Sequence, residues 1–117
     1  MESQQSARRI FSLDEARALL PEVKTLTSGA VRRVESLTAK LRKVNESDPL
    51  HAELEASIES AVREWGQAIQ ALGIDVKGLW LIDFDNGDGY YCWRHPEETV
   101  SHYHGYDEGF AGRMKIV

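Results

Sequence analysis

The feature that most constrains this chain is a series of apolar and small residues spaced alternately three and four apart: Leu20, Val23, Thr27, Ala30, Val34, Leu37, Leu41 and Val44. Residues three and four apart share one face of an α-helix, so this alternation predicts a helix that buries one stripe along its length against a partner. Asn45-Glu-Ser-Asp48-Pro49 closes that helix and opens another. Asp48 suits the N-cap, and proline suits the first helical position because its missing N–H would be unpaired there anyway. The second helix repeats the rhythm at Leu54, Ile58, Ala61, Trp65, Ala68 and Leu72 and stops at Gly73. Two helices joined by so short a link predict an antiparallel hairpin with arms of about 35 Å at 1.5 Å per residue.

Upstream, Ser12-Leu-Asp-Glu15 has the capping-box pattern, in which Ser and Glu side chains satisfy each other's free backbone N–H groups. That starts the first helix at Leu13. Pro21 lacks an N–H and predicts a kink, or a short helix followed by a long one. Residues 1–7 read as a polar tail, and 8–11 as an edge strand or the lead-in to the helix. After Gly73 the period changes to strand-like alternation over 79–84, then a turn at Asp85-Asn-Gly-Asp-Gly89, a strand at 90–94, a turn at His95-Pro96-Glu97 and a strand at 99–104. The segment 105–117 has no period, and its glycines suit a turning segment laid over the sheet. The expected architecture is α+β in one domain, 1–117. It has a long helical hairpin (13–72), a three-stranded antiparallel meander (79–104, four-stranded if 8–11 joins an edge) and a covering segment (105–117).

Hydrophobic residues at 42% and charged residues at 28% suit a globular protein with a core. No apolar run approaches the roughly 20 residues of a membrane span, and the N-terminus lacks the apolar segment of a signal peptide, so no membrane partner is expected and the default location is cytoplasmic. Cys92 is the only cysteine and reads as a small buried apolar residue. The net charge of -5 argues against a nucleic-acid surface, which needs a basic face. Its distribution is uneven: residues 24–43 sum to +5 and residues 46–64 to -5. Folding back sets a basic helix beside an acidic one, which reads as interhelical complementarity. Val31, Val62 and Ile69 lie off the main seams, and this leftover apolar surface predicts that two hairpins pair into a four-helix homodimer.

Chemistry concentrates in Tyr90–Arg113, which holds the cysteine and three of the four histidines. Strand alternation points His102 and His104 to one face, where with Glu108 they have the makings of a divalent-metal site, or are simply two histidines on a half-exposed strand. Asp83-Phe-Asp85-Asn-Gly-Asp88 fails as a calcium loop because its twelfth position is Arg94 instead of Glu. Arg94, Arg113 and the glycine turns of Gly109–Arg113 suit a small anionic ligand. Equally, the two arginines pair with Glu97, Asp107 or Asp83 and fasten the C-terminal segment to the sheet.

FSLDEARALLP at 11–21, IDF at 82–84, YCWR at 91–94, Glu97 and H-x-x-D-x-GFAGR at 104–113 together resemble the uncharacterised bacterial and archaeal DUF2203 family. The resemblance covers nearly the whole chain and is most specific at CWR and GFAGR. It departs at His95-Pro96, where Leu-Gly is expected, and at His102, where an aromatic residue is expected. It implies a helical region with a short sheet and marks Arg94, Glu97, His104, Asp107 and Arg113 as matching positions. His104 with Glu97 and Asp107 then forms a second metal grouping, with a donor set suited to zinc, manganese or iron. Three functions follow: a binding module dimerising through its helices with a metal or anion site near His104; a metal-dependent hydrolase using His104 with Asp107 or Glu97; or a structural helical adaptor whose polar cluster is fully self-paired.

Overall fold

A computed structural model describes residues 9–117. Helix α1 (Leu13–Leu41) begins at the capping box: Ser12 Oγ accepts from Glu15 N at 3.1 Å and Glu15 Oε1 accepts from Ser12 N at 2.8 Å. It runs on through Pro21, so the short-helix alternative does not occur. Pro21 offers no N–H to the Arg17 carbonyl, and both residues are exposed. Helix α2 (Pro49–Ala71) starts as read, with Asp48 Oδ1 accepting from Leu50 N at 2.9 Å. It ends before Gly73, whose φ of +84° suits glycine at a helix C-terminus. The link spans 42–48, so Val44, the last seam position, falls outside the helix.

The sheet has five strands instead of the three or four expected: β1 (Asp75–Gly78), β2 (Leu81–Asp85), β3 (Tyr90–Arg94), β4 (His102–His104) and β5 (Met114–Lys115). They pair antiparallel in chain order, a plain meander. β1 and β5 are the additions, and neither comes from the N-terminus: residues 9–11 form no strand, while residue 8 and the 1–7 tail lie outside the described residues. Phe11 N donates instead to Asp85 O at 2.7 Å, which ties the helix lead-in to the end of β2. The expected strand at 79–84 starts later because Leu79 and Trp80 form the β1–β2 turn, with Trp80 at φ 60°.

One sheet face carries the core. Ile82, Phe84 and Trp93 pack against Leu20 and Val23 of α1 and Trp65 and Ile69 of α2, with Phe11 edge-on to Phe84 at 5.2 Å. Ile69 therefore belongs to the core and is not part of the leftover apolar surface. Helix α1 is latched to the β3–β4 connection, where Arg17 donates twice to Val100 O at 3.1 and 2.9 Å and Lys24 Nζ donates to Glu98 O at 2.5 Å. With the helices on one face, period-2 alternation sends Asp83, Cys92 and His104 to the other, beneath the C-terminal segment.

Candidate functional site

The register builds the site. Asp83 of β2 stands opposite Cys92 of β3, and Tyr90 of β3 opposite His104 of β4. Same-face neighbours on adjacent strands are within reach of one another's side chains, so three adjacent strands bring an imidazole, a thiol and a carboxylate together. Their donor atoms lie within 4.8 Å of one another, and the residues are 4, 1 and 2% exposed respectively. Gly89 lets this end of the sheet close: a Cβ there would meet His104 O at 2.6 Å.

His104 is fixed at both ring nitrogens. Nδ1 lies 2.8 Å from Gly105 O, which can only accept, so Nδ1 carries the hydrogen. Nε2 lies 2.9 Å from Asp83 Oδ2, and one proton is shared across that contact. The second oxygen, Asp83 Oδ1, is buried without a hydrogen-bond partner among the described residues. Burial pushes the Asp83 carboxyl up, against the pull of the His104 charge and hydrogen bond and, more weakly, of the neighbouring Cys92 thiol. Burial, and then the Asp83 charge, push the Cys92 thiol up to about 12. Cys92 is thus buried, as expected of a small apolar residue, but its surroundings are polar. A cavity of about 210 Å³ adjoins the cluster, walled by Tyr90, Tyr106, Phe110 and Lys77. Lys77 Nζ sits 4.3 Å above the Tyr90 ring and donates to its hydroxyl at 3.3 Å, while Tyr106 donates its hydroxyl to Asp85 Oδ1 at 2.6 Å.

The residues expected in the site separate into two groups. Glu97 and Arg113 form a bidentate ion pair, one bond of which measures 3.0 Å between Arg113 Nη1 and Glu97 Oε1. Arg94 is exposed; its backbone N–H donates to Glu97 Oε1 at 2.9 Å and its guanidinium lies 5.1 Å from the Phe110 ring centre. Arg113 stacks closer on the same ring, at 4.1 Å. The Arg113 fork of the expected anion site is thus engaged in fastening the C-terminal segment, while the exposed Arg94 guanidinium lies over the Phe110 ring. His102 lies 4.0 Å from Glu97 Oε2, on the edge of this network. Glu108 caps its own turn, Oε1 accepting from Gly105 N at 2.8 Å, and Asp107 is exposed. Neither His104 with Glu97 and Asp107, nor His102 with His104 and Glu108, converges as a set of donors. Among the described residues the converging set is Asp83, Cys92 and His104.

Sequence reading brought in His104 and missed its two companions. The signal was present: alternation through Ile82-Asp83-Phe84 and Cys92-Trp93 sets Asp83 and Cys92 on the face opposite three core residues. Only the register shows that His104 stands over them.

These elements define an α+β protein with a helical hairpin on one sheet face and a buried Asp-Cys-His cluster beside a cavity on the other. The chain belongs to the family described as uncharacterized conserved protein (DUF2203), whose model matches residues 9–116. Comparison with curated proteins gives no match, and comparison with solved structures gives none. No helix among the described residues is long and apolar enough to cross a membrane.

Proposed function

We propose that the protein is a small-ligand binding module, dimerising through its helical hairpin and taking its ligand in the cavity beside His104. The observation that carries this reading is Asp83 Oδ1, a carboxylate oxygen buried without a hydrogen-bond partner, in a residue that lines the cavity. Leaving a buried acceptor unmade costs about 1–3 kcal/mol, and more when it is charged. A cation or hydrogen-bond donor entering the cavity removes that cost. The partnerless carboxylate oxygen favours such a ligand over an anion, and of the two arginines expected to hold an anion Arg113 is already paired with Glu97.

Binding is also favoured over hydrolysis with His104 as the general base. A general base needs a nitrogen with a free lone pair facing its substrate, and both ring nitrogens of His104 are occupied. The test is a thermal-melting screen of the full chain against small protonated amines and divalent metal chlorides, on the wild type and on Asp83→Asn. Compounds that raise the wild-type melting temperature and leave Asp83→Asn unmoved support the reading. If no member of either class moves the wild type, or if Asp83→Asn responds equally, the cavity is not a ligand site.

A further inference from the structure

We infer that Asp83, Cys92 and His104 are three ligands of a zinc-class divalent metal, with a fourth position open to the cavity. This rests on reading the cavity as a ligand site and names what fills it. Three observations converge. The first is geometric: a carboxylate oxygen, a sulfur and an imidazole nitrogen already lie within 4.8 Å of one another. Tetrahedral zinc bonds of roughly 2.0–2.3 Å space such atoms about 3.3–3.7 Å apart, so the widest separation closes by about 1–1.5 Å and the Nε2–Oδ2 contact opens by about 0.5 Å, changes within reach of side-chain rotation.

The second is the orientation of His104. A metal-bound histidine characteristically donates its other N–H to a carbonyl or carboxylate, which fixes the tautomer and aims the free lone pair at the metal. Gly105 O does this at Nδ1, leaving Nε2 as the inward-facing atom. What Nε2 meets is Asp83, and the proton they share is the one an ion bound to both groups would displace. The third is Oδ1 of the same carboxylate, a buried acceptor that meets no hydrogen-bond donor at bonding distance.

Charge balances without change. Binding releases the thiol proton of Cys92 and the proton shared by Asp83 and His104, and one dication replaces both. A buried cluster tolerates that exchange because its net charge stays at zero. The donor set also chooses the ion: thiolate and imidazole select zinc, cobalt or ferrous iron, whereas magnesium and calcium require oxygen ligands throughout. Arg113 Nη1, 3.9 Å from Cys92 Sγ, adds a donor beside the sulfur, and its own charge is already balanced by Glu97.

The experiment uses the full chain stripped with a chelator and titrated with zinc chloride, magnesium chloride and cobalt chloride. One zinc per chain should bind, magnesium should not displace it, and the cobalt form should show a thiolate-to-metal charge-transfer band. Cys92→Ala should abolish the band, and Cys92→Ala and His104→Gln should each weaken zinc binding by about 100-fold or more, beyond the loss typical of outer-shell changes. Circular dichroism of each stripped variant checks folding, and if His104→Gln does not fold, Cys92→Ala decides. Failure of stoichiometric zinc binding, or zinc binding that Cys92→Ala leaves intact, overturns the metal site. If zinc fails while a protonated amine still protects the protein through Asp83, only the metal assignment falls. If Asp83→Asn changes neither response, the reading of the cavity falls with it.

Discussion

At the scale of single residues, the core and the cluster obey the same rule, that buried polar atoms need partners, and they differ in whether the chain supplies them. Thr27 sits on the α1 seam, fully buried, and its Oγ1 accepts from Trp65 Nε1 at 2.9 Å. Thr27→Val keeps the shape and orphans the indole N–H, so it should cost about 1–3 kcal/mol. Thermal melting should show a fall of several degrees, and adding Trp65→Phe should return part of it, since removing both partners costs less than stranding one. An unchanged melting temperature for Thr27→Val would mean that the indole finds another acceptor. Gly89→Ala tests the close approach beside the cluster: with His104 O 2.6 Å from the added Cβ, β4 must shift, and stability should fall. The sequence made Thr27 legible as a seam position, because spacing alone fixes that. Its hydroxyl's acceptor role was not legible, nor was Asp83's place beside His104, because each depends on which side chain stands across from it in space.

At the scale of elements, locality decides what can be read. Helix α1, helix α2, the Asp85–Gly89 turn and β3 are encoded by caps, spacing and turn residues within a few positions, and they appear where expected. β1 and β5 are short edge strands, Asp-Val-Lys-Gly and Met-Lys, with no alternation to announce them. They exist because β2 and β4 offer unpaired backbone edges, a property of the assembled sheet. β5 is held by the Glu97–Arg113 pair, and this gives the C-terminal segment a pH dependence. Burial tends to raise the Glu97 carboxyl, but the Arg113 hydrogen bonds and charge, with the Arg94 backbone N–H, outweigh it and hold the group below its ordinary 4.5. A depressed folded-state value means the contribution is present above the unfolded value of 4.5 and lost as pH falls through the lower folded one. Arg113→Ala should therefore cost about 1–3 kcal/mol at neutral pH, by leaving a half-buried carboxylate with the Arg94 N–H but no counter-charge. That cost should shrink in acid well below pH 4.5. Denaturant melts at the two pH values measure it, and equal losses at both would mean the pair contributes no electrostatic stability.

At the scale of the whole molecule, the hairpin is longer than the sheet it covers. The Cα radius of gyration is 16.5 Å, and the principal extents are 49 × 39 × 26 Å. A globular chain of this length has a radius of about 13 Å, so the shape is elongated. The buried residues of α1 are Ala16, Leu20, Val23 and Thr27, all in its first half. Beyond them the same seam continues through Val34, Leu37 and Leu41, which are only half-buried, and on α2 Ile58 is half-buried while Leu50 is 45% exposed. Two helices cannot enclose a stripe that a sheet no longer covers, and completing the burial of each such side chain is worth on the order of 1 kcal/mol. The proposed homodimer supplies the cover. Its fit follows from charge: the basic stretch 24–43 and the acidic stretch 46–64 are complementary, already bridged once within the hairpin by Arg33 and Glu64 at 3.1 Å. A two-fold axis that lays each α1 against the partner's α2 repeats that match, whereas like helices would repel. Sedimentation of the full chain should give a dimer at micromolar concentration, weakened by salt as its exposed charges are screened. Leu37→Asp should shift it toward monomer, because a carboxylate on the seam is solvated in the free arm and desolvated in the pair. A wild-type monomer across the micromolar range would leave the arm's stripe for a partner other than itself.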